Sequence, residues 1–349
     1  MSSGRFFERN LVMRFVPTAN LTPGMITTKA IYLQNTLFVG ANRTLTKESI
    51  KTVQRVGIPG LYIFDEYSDF EKLNEIVNEE LRYRIVSELR DFNIDQVIYL
   101  TNQIVDDVLA MGDELLIDLN ELCLYDEDTY QHSVNVATLA TTCGVGLGLG
   151  NEDLKNLALA GALHDIGKRA IPIEILNKEG KLTKEERLLI NEHPRFGFDM
   201  LYDNNNISAY VRSAILSHHE NYDGSGYPNR LKEDEIPFFG MIIHVVDVYD
   251  ALIRKRSYKD DFAQQEAIEY LMGNCGIMFD LDVVQTFLNY LVVFPVGTVV
   301  TLSNGKKARV VQNRRRSILR PVVVTVEDKI TMDLANDPKY FNVTILEGE

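Results

Sequence analysis

The sequence predicts a mainly α-helical protein, with an all-helical core, a small α+β module before it and a small β domain after it. Three observations carry that expectation. Between about residues 121 and 293 apolar residues recur at spacings of three and four, segment after segment, the period of helices that bury one face. From Phe294 the period changes to two, in a valine-rich stretch turned by Asn304-Gly305. Ahead of the helices, residues 13–64 read as short strands separated by Pro-Gly and Val-Gly-Ala turns.

Four parts follow in order. The N-terminal module, residues 1–66, holds one short helix in LTKESIKTVQRVG, ended by Gly57; Thr46 with Ser49 lacks the acid or amide of a full capping box. Residues 67–120 carry two long helical patterns, FEKLNEIVNEELRYRIVSEL and DQVIYLTNQIVDDVLAM, interrupted between Asp91 and Asp95. They read as a connector, or as a helical pair against which a second subunit packs. The core, residues 121–293, comprises HSVNVATLATTCGVGLGL, NEDLKNLALAGALHDI, TKEERLLINEHPRFGFDML, SAYVRSAILSHHE and FFGMIIHVVDVYDAL, with Thr183 and Glu186 as a capping box. Residues 294–349 form the β domain.

Composition narrows the function. With 45% hydrophobic and 25% charged residues in 349, this is the make-up of an ordinary soluble globular protein. No run approaches a membrane span, and MSSGRFFERN has no apolar stretch of a secretory signal, so a cytoplasmic protein with no membrane contact is expected. Cys123, Cys143 and Cys275 lack metal spacing and read as space-filling thiols of a reducing compartment. A net charge of −14 disfavours a nucleic-acid polymer as partner. The clear basic patch, Lys306, Lys307, Arg309, Arg314, Arg315 and Arg316, reads first as a solvated hairpin tip, and second as a contact for a nucleic acid or acidic partner.

All six histidines, His132, His164, His193, His218, His219 and His244, fall in the helical core. A lone histidine such as His132 on an apolar helix is more often a satisfied core residue than a ligand. The pairs His164-Asp165 and His218-His219, the singles His132 and His193, and Asp247 within an apolar helix are together hard to satisfy by hydrogen bonds alone. They suit a pair of divalent cations. Asp165 can bridge two ions; His132, His164 and Asp247 complete one, and His193, His218 and His219 the other. Nitrogen and oxygen donors without thiolate favour Fe or Mn over structural zinc. Two such ions about 3.5 to 4 Å apart, sharing a hydroxide, suit in-line attack on phosphorus. Lys168, one helical turn beyond His164, then neutralises a phosphoryl oxygen. His244 reads as structural or as a partner behind the ligands.

These residues resemble the HD-GYP domain, the variant of the HD metal-dependent phosphohydrolases that cleaves the bacterial second messenger cyclic di-GMP. The matching motifs are HSVNVA, GALHDIGKRAIPIEILNKEGKLTKEE, NEHPRFG, ILSHHENYDGSGYP with Gly226-Tyr227-Pro228 as the signature, DVYDAL with Asp247 and Asp250, and RSY with Arg256 and Tyr258. The resemblance implies a bi- or trinuclear centre of iron or manganese and hydrolysis of cyclic di-GMP to pGpG or on to GMP. It further implies that Lys168, Arg256 and Lys259 lie near the phosphates, and that Asp223, Gly224, Gly226, Tyr227 and Pro228 lie beside the guanine. Enzymes of this type commonly work as dimers, which makes a homodimer the expected assembly.

The chain departs from the family pattern at Asn221, where an arginine or lysine is frequent, at Met241, where an arginine is, and at Ser257, where a proline is. No metal ligand is lost, but positive charge is, which bears on the choice of cyclic dinucleotide. Asp128, four before His132 on the same helical face, stands where three-metal members have glutamate and is a candidate for a third ion. The alternatives are an HD phosphohydrolase for another cyclic dinucleotide and a cyclic di-GMP receptor with little catalysis. The N-terminal module is expected to pack rather than to sense.

Overall fold

The computed structural model describes residues 13–28, 31–33, 36–56, 58, 60–64, 76–118, 129–178, 180–256 and 263–348. They cluster into two compact units, one drawn from Met1–Asn74, Asp118–Tyr125 and Val292–Glu349, the other from Glu75–Ile117 and Asp126–Leu291.

The first part of the chain contributes β1 (Met13–Pro17), β2 (Ile31–Leu33), β3 (Thr36–Val39), α1 (Lys47–Val56) and β4 (Gly60–Phe64). β1 pairs antiparallel with β4, and β2 with β3. Ile50 and Val53 of α1 close a core with Val16, Leu45, Leu61 and Ile63. The start of α1 differs from expectation. Thr46 N–H donates to Ser49 Oγ at 2.8 Å and Ser49 N–H to Thr46 Oγ1 at 3.1 Å, so serine closes a reciprocal cap that usually needs a longer side chain. Gly57, expected to end the helix, lies outside the described residues.

The helical unit opens with α2 (Glu79–Arg90), where the sequence pattern suggests a start near residue 70. Residues 65–75 lie outside the described set, and Ile76–Asn78 are not helical because the Asn78 side chain accepts the Leu81 N–H at 2.9 Å and fixes the first turn. Phe92, at φ 56°, reverses the chain into α3 (Ile94–Ala110), after which comes the two-residue strand β5 (Ile117–Asp118). Next are α4 (Thr129–Gly146) and α5 (Asn151–Leu163), which pack together, with α2 and α3 against α4. A 3-10 turn (Ile166–Ala170) and short α6 (Ile173–Leu176) lead to α7 (Lys184–Ile190), which has the expected capping box of Thr183 and Glu186. α8 (His193–Met200), α9 (Ala209–Ser217), α10 (Phe238–Arg256), α11 (Ala263–Gly273) and α12 (Leu281–Leu288) complete the unit before β6 (Leu291–Val292).

α10 is the central element. Ile242, Ile243, Val245, Val246 and Tyr249 are all fully buried, which a helix apolar on nearly every face requires. Each such aliphatic side chain contributes about 1.5–3 kcal/mol on burial, so α10 is anchored well enough to present polar groups inward. Across the unit, the Ile117 N–H donates to the Tyr290 carbonyl at 2.7 Å.

The C-terminal strands β7 (Val299–Leu302), β8 (Lys307–Gln312), β9 (Val322–Thr325), β10 (Thr331–Asp333) and β11 (Ile345–Gly348) form one antiparallel sheet in the order β10-β9-β8-β7-β11. Asn304-Gly305 makes the β7–β8 turn, with Gly305 at φ 80° and the Leu302 N–H donating to the Lys306 carbonyl at 2.9 Å. The basic patch is engaged within this domain: Arg314 pairs with Asp333 at 3.0 Å, Lys306 with Asp328 at 2.6 Å, and Arg309 donates to the Gly297 carbonyl at 3.0 Å. Two of its charges, those of Lys306 and Arg314, are thus met by carboxylates of the same domain. The architecture as a whole, helical with small sheets at either end of the chain, is the one the sequence predicts.

Candidate metal centre

Three of the core histidines sit at helix ends rather than mid-helix. His164 directly follows α5, His218 directly follows α9, and His193 begins α8 three residues beyond the end of α7. Each directs Nδ1 at the backbone carbonyl three residues earlier: His164 to Gly161 at 2.8 Å, His193 to Ile190 at 2.8 Å and His218 to Ile215 at 2.7 Å. A carbonyl can only accept, so Nδ1 carries the hydrogen in all three, and the nitrogen each ring can offer to an ion is Nε2.

Those nitrogens converge. His193 Nε2 and His218 Nε2 are 3.2 Å apart, and His193 Nε2 is 3.2 Å from Asp165 Oδ1. His164 Nε2 is 3.4 Å from Asp165 Oδ2 and 3.9 Å from Asp247 Oδ1, while His132 Nε2 is 2.9 Å from the same Asp247 oxygen. Among the described residues, His164 Nε2 and Asp165 Oδ1 are buried with no hydrogen-bond partner. Facing acceptors without hydrogens repel, and a buried carboxylate oxygen left bare is costly. A divalent cation answers both, so these residues fit one. Donor atoms of Asp165, His193, His218 and His219 lie within 4.8 Å of one another, as do those of His132, His164 and Asp165. Asp165 is common to both groups, in the place expected for a bridging carboxylate, and Asp247 adjoins the second.

Ionisation follows the packing. Asp165 is held well below the usual carboxylate range: burial opposes its charge, but Lys168, His164 and His193 outweigh it. Asp247 is likewise lowered against burial, by His132, His164 and His219. Burial works against a charged His132, yet hydrogen bonds to Asp247 and Asp250 raise it to about 9. Burial together with neighbouring imidazoles holds His218 well below its ordinary value, and burial takes His219 down to about 3. The carboxylates are therefore charged and the His218-His219 pair neutral, the forms that ligate metal.

Three expectations change in detail. Lys168 is not one turn further along the helix of His164, because α5 stops at Leu163 and Lys168 belongs to the 3-10 turn. Its Nζ lies 2.6 Å from Asp165 Oδ2, and although burial opposes its charge, Asp165 raises it, leaving a half-buried ammonium at the edge of the cluster. His218 and His219 are not mid-helix neighbours splayed apart; past the end of α9 their ring centroids are 4.2 Å apart at 43°. Tyr227 stacks on His219, with centroids 4.8 Å apart at 27°, and burial, then the charges of Asp247 and Asp165, push its hydroxyl up. One face of its ring therefore backs a candidate ligand.

The remaining residues are placed as follows. Asp223 accepts the Ser225 N–H at 2.9 Å within its own turn, and Gly224 takes φ 83°. Gly226 lies so close to the chain before it that a Cβ would be 2.2 Å from Asn221 N and 2.5 Å from His219 O. The Tyr227-Pro228 bond is cis. His244 Nε2 bonds Asn221 Oδ1 at 3.1 Å and stands apart from both donor groups. Arg256 ends α10 but its side chain is outside the described set, as are Asp128, Tyr258 and Lys259. Two contributors were given no role in the sequence reading, although Asp250 stands in one of its motifs. Glu220, 1% exposed, accepts the N–H groups of Asn229 (2.7 Å) and Leu231 (3.1 Å) and ties down the loop after Pro228. Asp250 Oδ2 takes His132 Nδ1 at 2.6 Å; the signal available was a second carboxylate one turn after Asp247 in an apolar helix.

Histidine and aspartate donors converge here in a helical domain, in groups that could hold metal ions. Residues 104–283 match the model of the HD domain, a little over half the chain, and the chain belongs to that family. A cyclic di-GMP phosphodiesterase of Pseudomonas aeruginosa is 38% identical over 244 residues, covering 68% of this chain and 59% of the relative. One of Thermotoga maritima is 32% identical over 229 residues, covering 63% and 62%. A 3'3'-cGAMP-specific phosphodiesterase of Vibrio cholerae is 34% identical over 209 residues, covering 59% and 40%. The chain thus spans less than two thirds of each of these relatives. Among solved structures, a HDG"Y"P protein from Bdellovibrio bacteriovorus shares the fold, with a TM-score of 0.50 at 17% identity over 79% of this chain and 98% of the other. Among the described residues no helix is long and apolar enough to cross a membrane.

Proposed function

We propose that this protein is a metal-dependent phosphodiesterase of the HD-GYP kind that hydrolyses cyclic di-GMP to pGpG, to GMP or to both. The observation that carries the reading is the set of imidazole Nε2 atoms gathered around Asp165, a buried carboxylate with one oxygen toward each donor group. His132, His164 and Asp247 would hold one ion, His193, His218 and His219 the other, with Asp165 between them; imidazole and carboxylate donors suit Fe or Mn. When bound, such a pair supplies Lewis acidity toward a phosphoryl oxygen and an acidified water for attack on phosphorus.

The chain's own residues supply the rest. The carbonyls of Gly161, Ile190 and Ile215 hold three rings in the tautomer that leaves Nε2 free. Lys168, kept as an ammonium by Asp165, meets the negative charge of a phosphodiester where that charge grows. Glu220 and Gly226 fix the loop that carries Tyr227 beside His219, which sets one wall of the substrate's approach.

A second substrate is supported by Asn221. Where an arginine would offer a charge, this amide bonds His244 and Ser225 and offers none, which leaves cyclic GMP-AMP as a competitor for the site. The experiment is anaerobic hydrolysis of both cyclic dinucleotides with metal content measured on the same sample, beside Asp165→Ala. Two ions per chain and turnover of cyclic di-GMP that the variant loses are expected. Metal without turnover of cyclic di-GMP would refute the substrate, and no metal after reconstitution would refute the centre.

A further inference from the structure

Arg82 is 4% exposed, an uncommon position for a guanidinium. It lies on α2, upstream of the segment 104–283 that matches the HD domain, and no motif in the sequence marks it. Its Nη1 donates to Asn135 Oδ1 at 2.7 Å. The Asn135 amide donates in turn through Nδ2 to Asp250 Oδ1 at 2.8 Å. Asp250 Oδ2 takes the Nδ1 hydrogen of His132 at 2.6 Å, and His132 Nε2 faces Asp247. Asn135 and Asp250 are fully buried.

The chain has one polarity from end to end. An amide can join a cation to an anion because its oxygen accepts from one and its nitrogen donates to the other. Spacing makes the join possible: Asn135 is one turn beyond His132 on α4, and Asp250 one turn beyond Asp247 on α10, so each pair shares a face. The carboxylate at Nδ1 fixes the tautomer and the ring plane of His132, the role taken for His164, His193 and His218 by backbone carbonyls. His132 is thus a histidine of the centre whose Nδ1 is held by a side chain rather than a carbonyl, and that side chain leads to another helix. α2 is also the first helix after the N-terminal module in the chain.

We propose that Arg82 is a positioning residue of the metal centre. Through Asn135 and Asp250 it holds His132 in register, so that a displacement of α2 alters the affinity of the ion bound by His132, His164, Asp165 and Asp247 and leaves the other ion in place. This role rests on the metal reading above.

The test is calorimetric titration of the metal-free full chain with Mn2+, comparing wild type, Arg82→Lys, Arg82→Met and His132→Ala, with helicity and thermal unfolding recorded for each. Loss of a partner behind a metal ligand typically weakens the metal 10–100-fold. Arg82→Met should weaken by that factor only the ion that His132→Ala abolishes, and Arg82→Lys should weaken it less. The order wild type, lysine, methionine at one ion, with the second unchanged, would not arise from a merely structural role. Equal weakening of both ions, or two unaltered ions in either variant, would overturn the proposal. If Arg82→Met does not fold, Arg82→Lys decides between those outcomes. Wild type that takes up no manganese would overturn the metal reading itself, and this proposal with it.

Discussion

Gly167→Ala tests whether the centre is held at backbone distance. Gly167 follows the His164-Asp165 pair by two residues, and a Cβ there would lie 2.0 Å from the His193 carbonyl oxygen and 2.4 Å from Gly197 N. Both are main-chain atoms of α8, so no side chain can swing aside. To reach ordinary contact the turn and α8 must separate by about 1 Å or more, which draws His193 away from the Asp165 oxygen now 3.2 Å from its Nε2. Overpacking of this kind costs about 1–3 kcal/mol, against which the loss of glycine freedom in the unfolded chain returns under about 1 kcal/mol. In a domain of this size each kcal/mol shifts the midpoint by about 2–4 °C, so calorimetry should show a fall of several degrees. Mn2+ titration should show the weaker binding concentrated at the ion of His193, His218 and His219. An unchanged midpoint together with two unchanged ions would refute the backbone-contact reasoning.

Two further outcomes follow from the loop and from the histidine outside the donor groups. Glu220→Ala strands two N–H groups that Glu220 now accepts, each costing about 1–3 kcal/mol if left dry; the loop should loosen, raising KM for a cyclic dinucleotide while Mn2+ uptake stays at the wild-type level, and an unaltered KM would sink the assignment. His244 is lowered by burial to about 4, so the folded chain refuses a proton that the unfolded chain accepts below about 6.5. The stability from its neutral form is therefore whole above pH 6.5 and declines as pH falls toward 4, by about 2 kcal/mol between pH 7.5 and 5. In urea unfolding with chelator, His244→Gln should lose about that much less stability over the same interval, and parallel curves would contradict the sign.

Why some of this was legible and some not comes down to how far each interaction reaches along the chain. The helical core could be read because α10 and its neighbours repeat an apolar period over many residues, and the centre because histidine is rare and all six lie between His132 and His244. The chain from Arg82 to His132 could not: Asn135 and Arg82 are 53 residues apart, Asn135 and Asp250 115 apart, and neither an asparagine on a helix nor an arginine in a charged one is unusual. Glu220 is hidden for a different reason, since its partners are N–H groups that every residue has.

The misplacement of Lys168 is the most instructive. A continuous helix through His164 is the natural reading of GALHDIGK, but His164 turns its Nδ1 onto Gly161 O, a carbonyl that would otherwise need another partner at the helix end. The imidazole caps α5 and stops it. His218 does the same to Ile215 at the end of α9, and His193 to Ile190 at the end of α7. In each case the act that ends the helix also commits Nδ1 and turns Nε2 toward Asp165 or a neighbouring ring. Helix termination and ligand preparation are here one interaction, so a histidine one to three positions beyond the end of an amphipathic pattern is a stronger sign of a ligand than one in its middle. By that criterion His132, inside α4 with Asp250 rather than a carbonyl at its Nδ1, is a candidate whose ring is held from behind by Asp250, and Asp250 in turn by the asparagine and the arginine.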